Sequence, residues 1–210
     1  TATASNENKI TRSKFMAQTS LVAGGALLGT FGFGIISGAH DYRIRRVKVA
    51  LKNLPKAFHG LKIAQISDVH TGSFYNKTAV MGGIDMLLGE KPDVVFFTGD
   101  FVNDKSEEIN EYFDVFSRIK APMGVYSTLG NHDYGDYAKW STPQKKQQNF
   151  ADMLHAHKQL GWRLLMDEHV PLKTNNEQIG ILGVQNWGMG FAQYGSMEKT
   201  NLGADEYPVK

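Results

Sequence analysis

The stretch QISDVHTGSF, residues 65–74, closes an apolar run with an aspartate and a histidine two positions apart, just before a Gly/Ser turn. The run itself, LKIAQIS at 61–67, shows no polar alternation, the pattern of a strand covered on both faces. Working outward, residues 77–89 read as a helix, DVVFFTG (93–99) as a second buried strand, 106–119 as an amphipathic helix and GVYSTLG (124–130) as a third strand. Strands separated by helices imply a parallel sheet in an α/β layered domain. A polar helix near 144–160 follows, then RLLMDEHVPLK and QIGILGVQNW, two strands of a more hairpin-like second half.

The three early strands end in the same kind of chemistry: Asp68-Val69-His70, Gly99-Asp100, and Gly130-Asn131-His132-Asp133. Ligands of open α/β sheets bind beyond the carboxyl ends of the strands, where successive loops converge, so the three clusters should meet. Carboxylate, neutral imidazole and amide oxygen are ligands for hard or borderline divalent ions. A two-residue separation in an extended loop lets Asp68 and His70 chelate one of them. Singly each motif is commonplace, since D-x-H arises by chance and G-D and N-H-D are turn signals. Their ordered recurrence at strand ends is not something sheet packing produces.

Composition narrows the chemistry further. The chain has 210 residues, 41% of them apolar, enough for a substantial core, and no cysteine. Disulfides, thiolate zinc sites and cysteine nucleophiles are thereby excluded, and any metal must be held by oxygen and imidazole. No glycine-rich phosphate loop, serine elbow or heptad seam is present. Nucleic acid is not an expected partner, because the basic residues gather at one end. Residues 1–60 hold nine Lys/Arg against Glu7 and Asp41, an excess of seven, whereas the remainder carries five net negative charges, giving the overall +2.

That basic excess surrounds LVAGGALLGTFGFGIISGA (21–39), nineteen residues without a charge. Its length of about 30 Å as a helix predicts a membrane-spanning segment, with a signal-peptide core or a buried helix as alternatives. Lys9, Arg12 and Lys14 precede it, and Arg43, Arg45, Arg46 and Lys48 follow. The count favours a cytoplasmic downstream domain. However, YRIRRVKVALKNL also alternates, with Val47, Val49 and Leu51 against Arg46, Lys48 and Lys52, as in a charged edge strand. TRSKFM (11–16) resembles a twin-arginine export signal with Ser13 in place of the second arginine. The start at Thr1 rather than methionine, and the end at EYPVK, lead to the expectation that both ends are cut.

ISDVH (66–70), FFTGD (96–100) and LGNHD (129–133) resemble the calcineurin-like metallophosphoesterases. AFHGLKIAQISDVHTGSF (57–74) and TLGNHDYGDY (128–137) are similar to its bacterial membrane-associated branch, some of whose relatives cleave UDP-diacylglucosamine in lipid A synthesis. The likeness covers roughly residues 42–210. It implies a four-layer αββα sandwich of two mixed sheets flanked by helices, incomplete here at the C-terminus. Residues 1–40 would form an N-terminal segment with the membrane helix, and 41–210 the partial phosphoesterase domain. The resemblance also implies two divalent ions, from among Mn, Fe, Zn, Mg and Ca, that activate water for attack on phosphorus. Asp68 and His70 would ligate the first ion, Asp100 bridge both, and Asn131 ligate the second. His132 would be the catalytic histidine, with Asp133 behind it accepting a hydrogen bond from its ring.

The resemblance also implies a further histidine and a G-H-x-H element, and neither is present. After Asp133 the chain has only His155, His157 and His169. His155 and His157 fall in a helical stretch where positions i and i+2 diverge, so both are expected at the surface. His169 reads as a loop histidine. The second ion is therefore expected to be under-coordinated, with the missing ligands encoded beyond Lys210. Trp187, Phe113, Val115, Phe116 and Ile119 are expected in the core, and Asp104 as a solvated loop acid.

Two functions follow. The first is a hydrolase of phosphoester or pyrophosphate bonds, anchored at a bacterial inner (plasma) membrane and acting on a phosphorylated small molecule or lipid. The second is a non-catalytic membrane-associated scaffold with an incomplete site.

Overall fold

A computed structural model describes residues 10–34, 38 and 40–186. The chain divides into two units, Thr1–Arg43 and Ile44–Lys210. The first contains α1 (Arg12–Phe33), capped by Thr11, whose side chain accepts the Lys14 N–H at 3.3 Å. No residue of α1 is buried, and Phe15, Leu21, Leu28 and Phe33 are all exposed. Of the membrane span expected at 21–39, the structure gives only this: among the described residues no helix is long and apolar enough to cross a membrane. The helix starts at Arg12, so Arg12, Lys14 and Gln18 occupy its early turns. Residues 35–37 and 39 of the expected span lie outside the described residues.

In the second unit β1 (Ile63–Ile66), β2 (Val94–Thr98), β3 (Val125–Thr128) and β4 (Arg163–Leu164) make a four-stranded sheet in sequential order, parallel throughout. Helix α2 (Lys77–Gly89) is capped by Asn76, which accepts the Ala79 N–H at 3.1 Å. Helix α4 (Pro143–Leu160) begins behind Thr142 with proline in its first turn and ends at Gly161, φ +77°. Both ends follow ordinary capping chemistry. The expected helix at 106–119 is instead a 3₁₀ stretch, Ser106–Tyr112, running into the four-residue α3 (Phe113–Phe116).

One face of the sheet, carrying Ala64, Ile66, Val95, Phe97, Val125 and Leu164, joins the core with Val80 and Ile84 of α2, Val115, Phe116, Ile119 and Met153. Phe113 packs at its border. On the opposite face Val94 is buried, while Ile63 is 52% exposed. β5 (Glu168–Thr174) and β6 (Glu177–Gly183) pair antiparallel across Asn175 and Asn176, both at positive φ, as a tight hairpin requires. The fold is thus α/β with a parallel sheet and helices. The first sheet is not mixed, and among the described residues no helix follows β6 to supply a fourth layer. Residues 44–51 form no strand: Val47 and Val49 stand 68% and 71% exposed. Trp187 lies outside the described residues.

His157 departs from expectation. It is fully buried on α4, in the stripe Asn149, Met153, His157 and Leu160. Its ring lies among Phe97, Phe101 and Trp162, at 5.8–6.0 Å between centroids. Neither ring nitrogen has a hydrogen-bond partner, and burial pushes its pKa down to about 4. A neutral imidazole here fills space as an aromatic. Two-residue spacing correctly separates it from His155, which is exposed, but it is the inward member of that pair.

Candidate metal centre

The loops that leave the strands are stitched together by their own backbone. Beyond the ends of β1 and β2 the pairing continues: Asp68 N–H donates to Gly99 O (3.0 Å), His70 N–H to Asp100 O (3.1 Å) and Thr71 N–H to Phe101 O (2.9 Å). Asp68, His70 and Asp100 take positive φ of 53°, 49° and 55°. Such conformations are uncommon outside glycine and gather at functional sites. Gly99, at φ +95°, faces Gly130, and a Cβ on either would collide with the other loop. Glycine is required because the two turns touch backbone to backbone.

Asp133 locks this junction. Fully buried in the 3₁₀ turn His132–Tyr134, its carboxylate accepts the N–H groups of Asp100 (2.9 Å), Gly130 (2.9 Å), Phe101 (2.8 Å) and Val102 (3.4 Å). Burial raises its pKa to about 6, against the lowering effect of those N–H bonds and with the Asp100 charge adding to the rise. The expectation that Asp133 accepts from the His132 ring is therefore corrected. Its two oxygens are committed to backbone donors beneath the loops, while the ring points the other way.

The ring of His132 has a different partner. Its Nδ1 lies 2.5 Å from the carbonyl oxygen of Asn103. A carbonyl only accepts, so Nδ1 carries the proton, and Nε2 is the acceptor of the neutral ring. Asn103 is held in turn by Glu108, whose carboxylate accepts the N–H groups of Asn103 (2.7 Å), Asp104 (3.0 Å) and Lys105 (2.9 Å). Gly72 lies so close to Glu108 that a side chain would not fit between them. Asp104, expected as a solvated loop acid, is half-buried in this turn.

Above this scaffold the donors converge. Asp100 Oδ1 accepts the His132 backbone N–H at 3.0 Å, and its Oδ2 stands 3.9 Å from His70 Nε2, too far for a hydrogen bond. The His70 and His132 rings meet edge to face, 4.7 Å apart at 86°. One ligating atom each from His70, Asp100 and His132 lies within 4.8 Å of the others. A carboxylate oxygen and two imidazole nitrogens at that spacing suit a divalent cation with bonds of roughly 2.1 Å.

Not every expected ligand joins them. Asp68 is exposed, accepts a hydrogen bond from the Ser67 hydroxyl, and stands outside the three-residue group. The half-buried Asn131 donates its Nδ2 to the Tyr137 hydroxyl at 2.7 Å. Tyr137 also stacks on His132, 4.3 Å between centroids at 18°. Sequence reasoning missed Asn103, Glu108 and Tyr137. Glu108 had a signal, because it stands three residues after the helix-capping position 105. Asn103 acts through its main chain, which no residue type announces.

Residues 61–196, well over half of the chain, match the family described as calcineurin-like phosphoesterase. An uncharacterised metallophosphoesterase of Bacillus subtilis, YkuE, is 28% identical over 134 residues, covering 61% of this chain and 47% of that protein. The UDP-2,3-diacylglucosamine pyrophosphatase LpxG of Chlamydia trachomatis is 39% identical over 89 residues, 40% of this chain and 27% of the relative. A transmembrane protein with a metallophosphoesterase domain from Danio rerio is 26% identical over 102 residues, 49% and 23% respectively. The matched stretches thus span less than half the length of each of these relatives. Motifs, sheet topology and the family match agree: this chain belongs to the calcineurin-like phosphoesterase family.

Proposed function

We propose that the protein is a metal-dependent hydrolase of phosphoester or pyrophosphate bonds. The supporting observation is the convergence of His70, Asp100 and His132 donor atoms within 4.8 Å at three strand ends. In this reading His70 and Asp100 would hold the first cation, with Asp68 turned in beside His70, and His132 would stand next to it with Nε2 left for proton transfer. A second cation, if held, would be shared by Asp100 and ligated by the Asn131 amide oxygen. Divalent cations held there supply charge to neutralise phosphate oxygens and to acidify water. Asp100 has to be a carboxylate, because a neutral amide would leave the positive charge poorly compensated.

His132 faces the substrate side of this chemistry. With Nδ1–H held by Asn103, the other ring nitrogen is the atom able to take up a proton and pass it to the leaving oxygen. Asp133 holds the loops that carry these groups. The LpxG likeness supports a lipid-linked pyrophosphate as substrate and, with the Danio rerio relative's name, a place at a membrane such as the bacterial inner membrane.

The alternative is a scaffold that keeps the fold without the chemistry. It draws support from Asp68 standing outside the donor group. Hydrolysis of bis(p-nitrophenyl) phosphate with and without Mn²⁺ separates the two. Turnover that needs Mn²⁺ and disappears in Asp100→Asn supports the hydrolase; absence of metal-dependent turnover in the parent protein supports the scaffold.

A further inference from the structure

We propose that Tyr137 is a positioning residue of the metal centre: its hydroxyl holds the NH₂ end of the Asn131 amide so that Oδ1 faces the cation position, and its ring fixes the plane of His132. The inference rests on the hydrolase reading above.

Tyr137 is 41% exposed, yet it touches two of the residues on which that reading depends. An amide ligates a hard cation only through its oxygen, so an asparagine ligand is useful in one of its two flips. The Tyr137 hydroxyl accepts from Nδ2 at 2.7 Å, which holds the NH₂ end away and leaves Oδ1 for the cation. The same ring covers one face of His132, at 4.3 Å and 18°, while the Asn103 carbonyl holds Nδ1 and His70 meets the ring at its edge. His132 is thus constrained in plane, in tilt and in tautomer by three different loops.

The placement of Tyr137 is itself built. Gly135, at φ +71°, reverses the chain after the 3₁₀ turn, where a side chain would press on Asn149 and Trp140. Trp140 Nε1–H donates to the Gly135 carbonyl at 2.6 Å, and Lys105 sits over the Trp140 ring. Asp136, the immediate neighbour, pairs with Lys146 of α4. Tyr137 is thus an exposed side chain on an anchored backbone.

The test compares Tyr137→Phe, which keeps the ring and loses the hydroxyl, with Tyr137→Leu, which loses both. Mn²⁺ affinity is read by calorimetry on the metal-free chain, and the His132 imidazole proton shifts by NMR without metal. Tyr137→Phe is expected to weaken Mn²⁺ binding about tenfold, the usual cost of losing an outer partner of a metal ligand, and to leave the His132 signals in place. Tyr137→Leu is expected to weaken binding similarly and also to shift the His132 signals through loss of the ring current. Both variants binding Mn²⁺ like the parent overturns the role of the hydroxyl. Unshifted His132 signals in Tyr137→Leu overturn the role of the ring. If the parent itself binds no Mn²⁺, the hydrolase reading falls and the role of the hydroxyl with it. The NMR comparison on metal-free protein still decides the role of the ring.

Discussion

Asp133 accepts the backbone N–H of Asp100 at 2.9 Å, across a gap of 33 residues in sequence, and so ties the loop after β3 to the loop after β2 that carries Asp100. The four backbone donors on this one carboxylate give Asp133 a structural task that can be measured apart from catalysis.

Asp133→Asn sets an NH₂ group against backbone N–H donors, because Asp100 and Gly130 share one carboxylate oxygen and Phe101 and Val102 the other. A stability loss of about 2–3 kcal/mol is expected, the penalty for leaving buried donors unpaired. Urea denaturation of metal-free protein reads it directly. A melt unchanged from the parent would return Asp133 to a purely chemical role.

Gly99→Ala should be worse tolerated than its one methyl suggests. The position combines φ +95° with backbone contact to Gly130. Both the left-handed penalty and the steric push act on the junction that carries Asp100 and His132. Lower thermal stability and weaker Mn²⁺ binding are expected together; loss of neither contradicts the close packing of the two turns.

Glu108→Ala removes the acceptor for three consecutive N–H groups and loosens the carbonyl that holds His132. The expected cost is about 2 kcal/mol in stability. The imidazole nitrogen shifts of His132 should also move toward a mixture of tautomers, which a purely local capping role for Glu108 does not produce. Unchanged nitrogen shifts in Glu108→Ala confine this residue to capping.

His157 gives the fold an acid sensitivity that is separate from the site. Its folded pKa of about 4 lies below the ordinary 6.5, so between those values the unfolded chain binds a proton that the folded chain refuses. Stability from this group is complete above pH 6.5 and is lost as pH falls toward 4, by about 3 kcal/mol in all. His157→Leu, apolar and of similar size, should remove that part of the pH dependence. Parallel stability curves for parent and variant between pH 6.5 and 4 contradict this.

The strands were legible because buried parallel strands are written as unbroken apolar runs, and LKIAQIS, DVVFFTG and GVYSTLG each contain one. Sequential strand order with a turn at each carboxyl end was enough to bring His70, Asp100 and His132 together. Three things were not legible. The orientation of a side chain within a turn decided Asp133 and Asp68; in the 3₁₀ turn, for instance, adjacent positions His132 and Asp133 diverge by about 120°. The inward face of α4 decided His157, where a polar residue type masked an apolar site. The start of α1 was set by Thr11 as a cap, ten residues before the apolar run that begins at Leu21.

If the three loop tips form a cation-binding centre for phosphoester hydrolysis, removing the Asp100 carboxylate must abolish both Mn²⁺ binding and turnover. Calorimetric titration of Mn²⁺ into metal-free parent and Asp100→Asn protein, with bis(p-nitrophenyl) phosphate turnover measured on the same samples, tests it most directly. Saturable Mn²⁺ binding and turnover in the parent, both lost in Asp100→Asn and both removed by EDTA, is the predicted result. Equal binding and equal turnover in the two proteins contradicts the account.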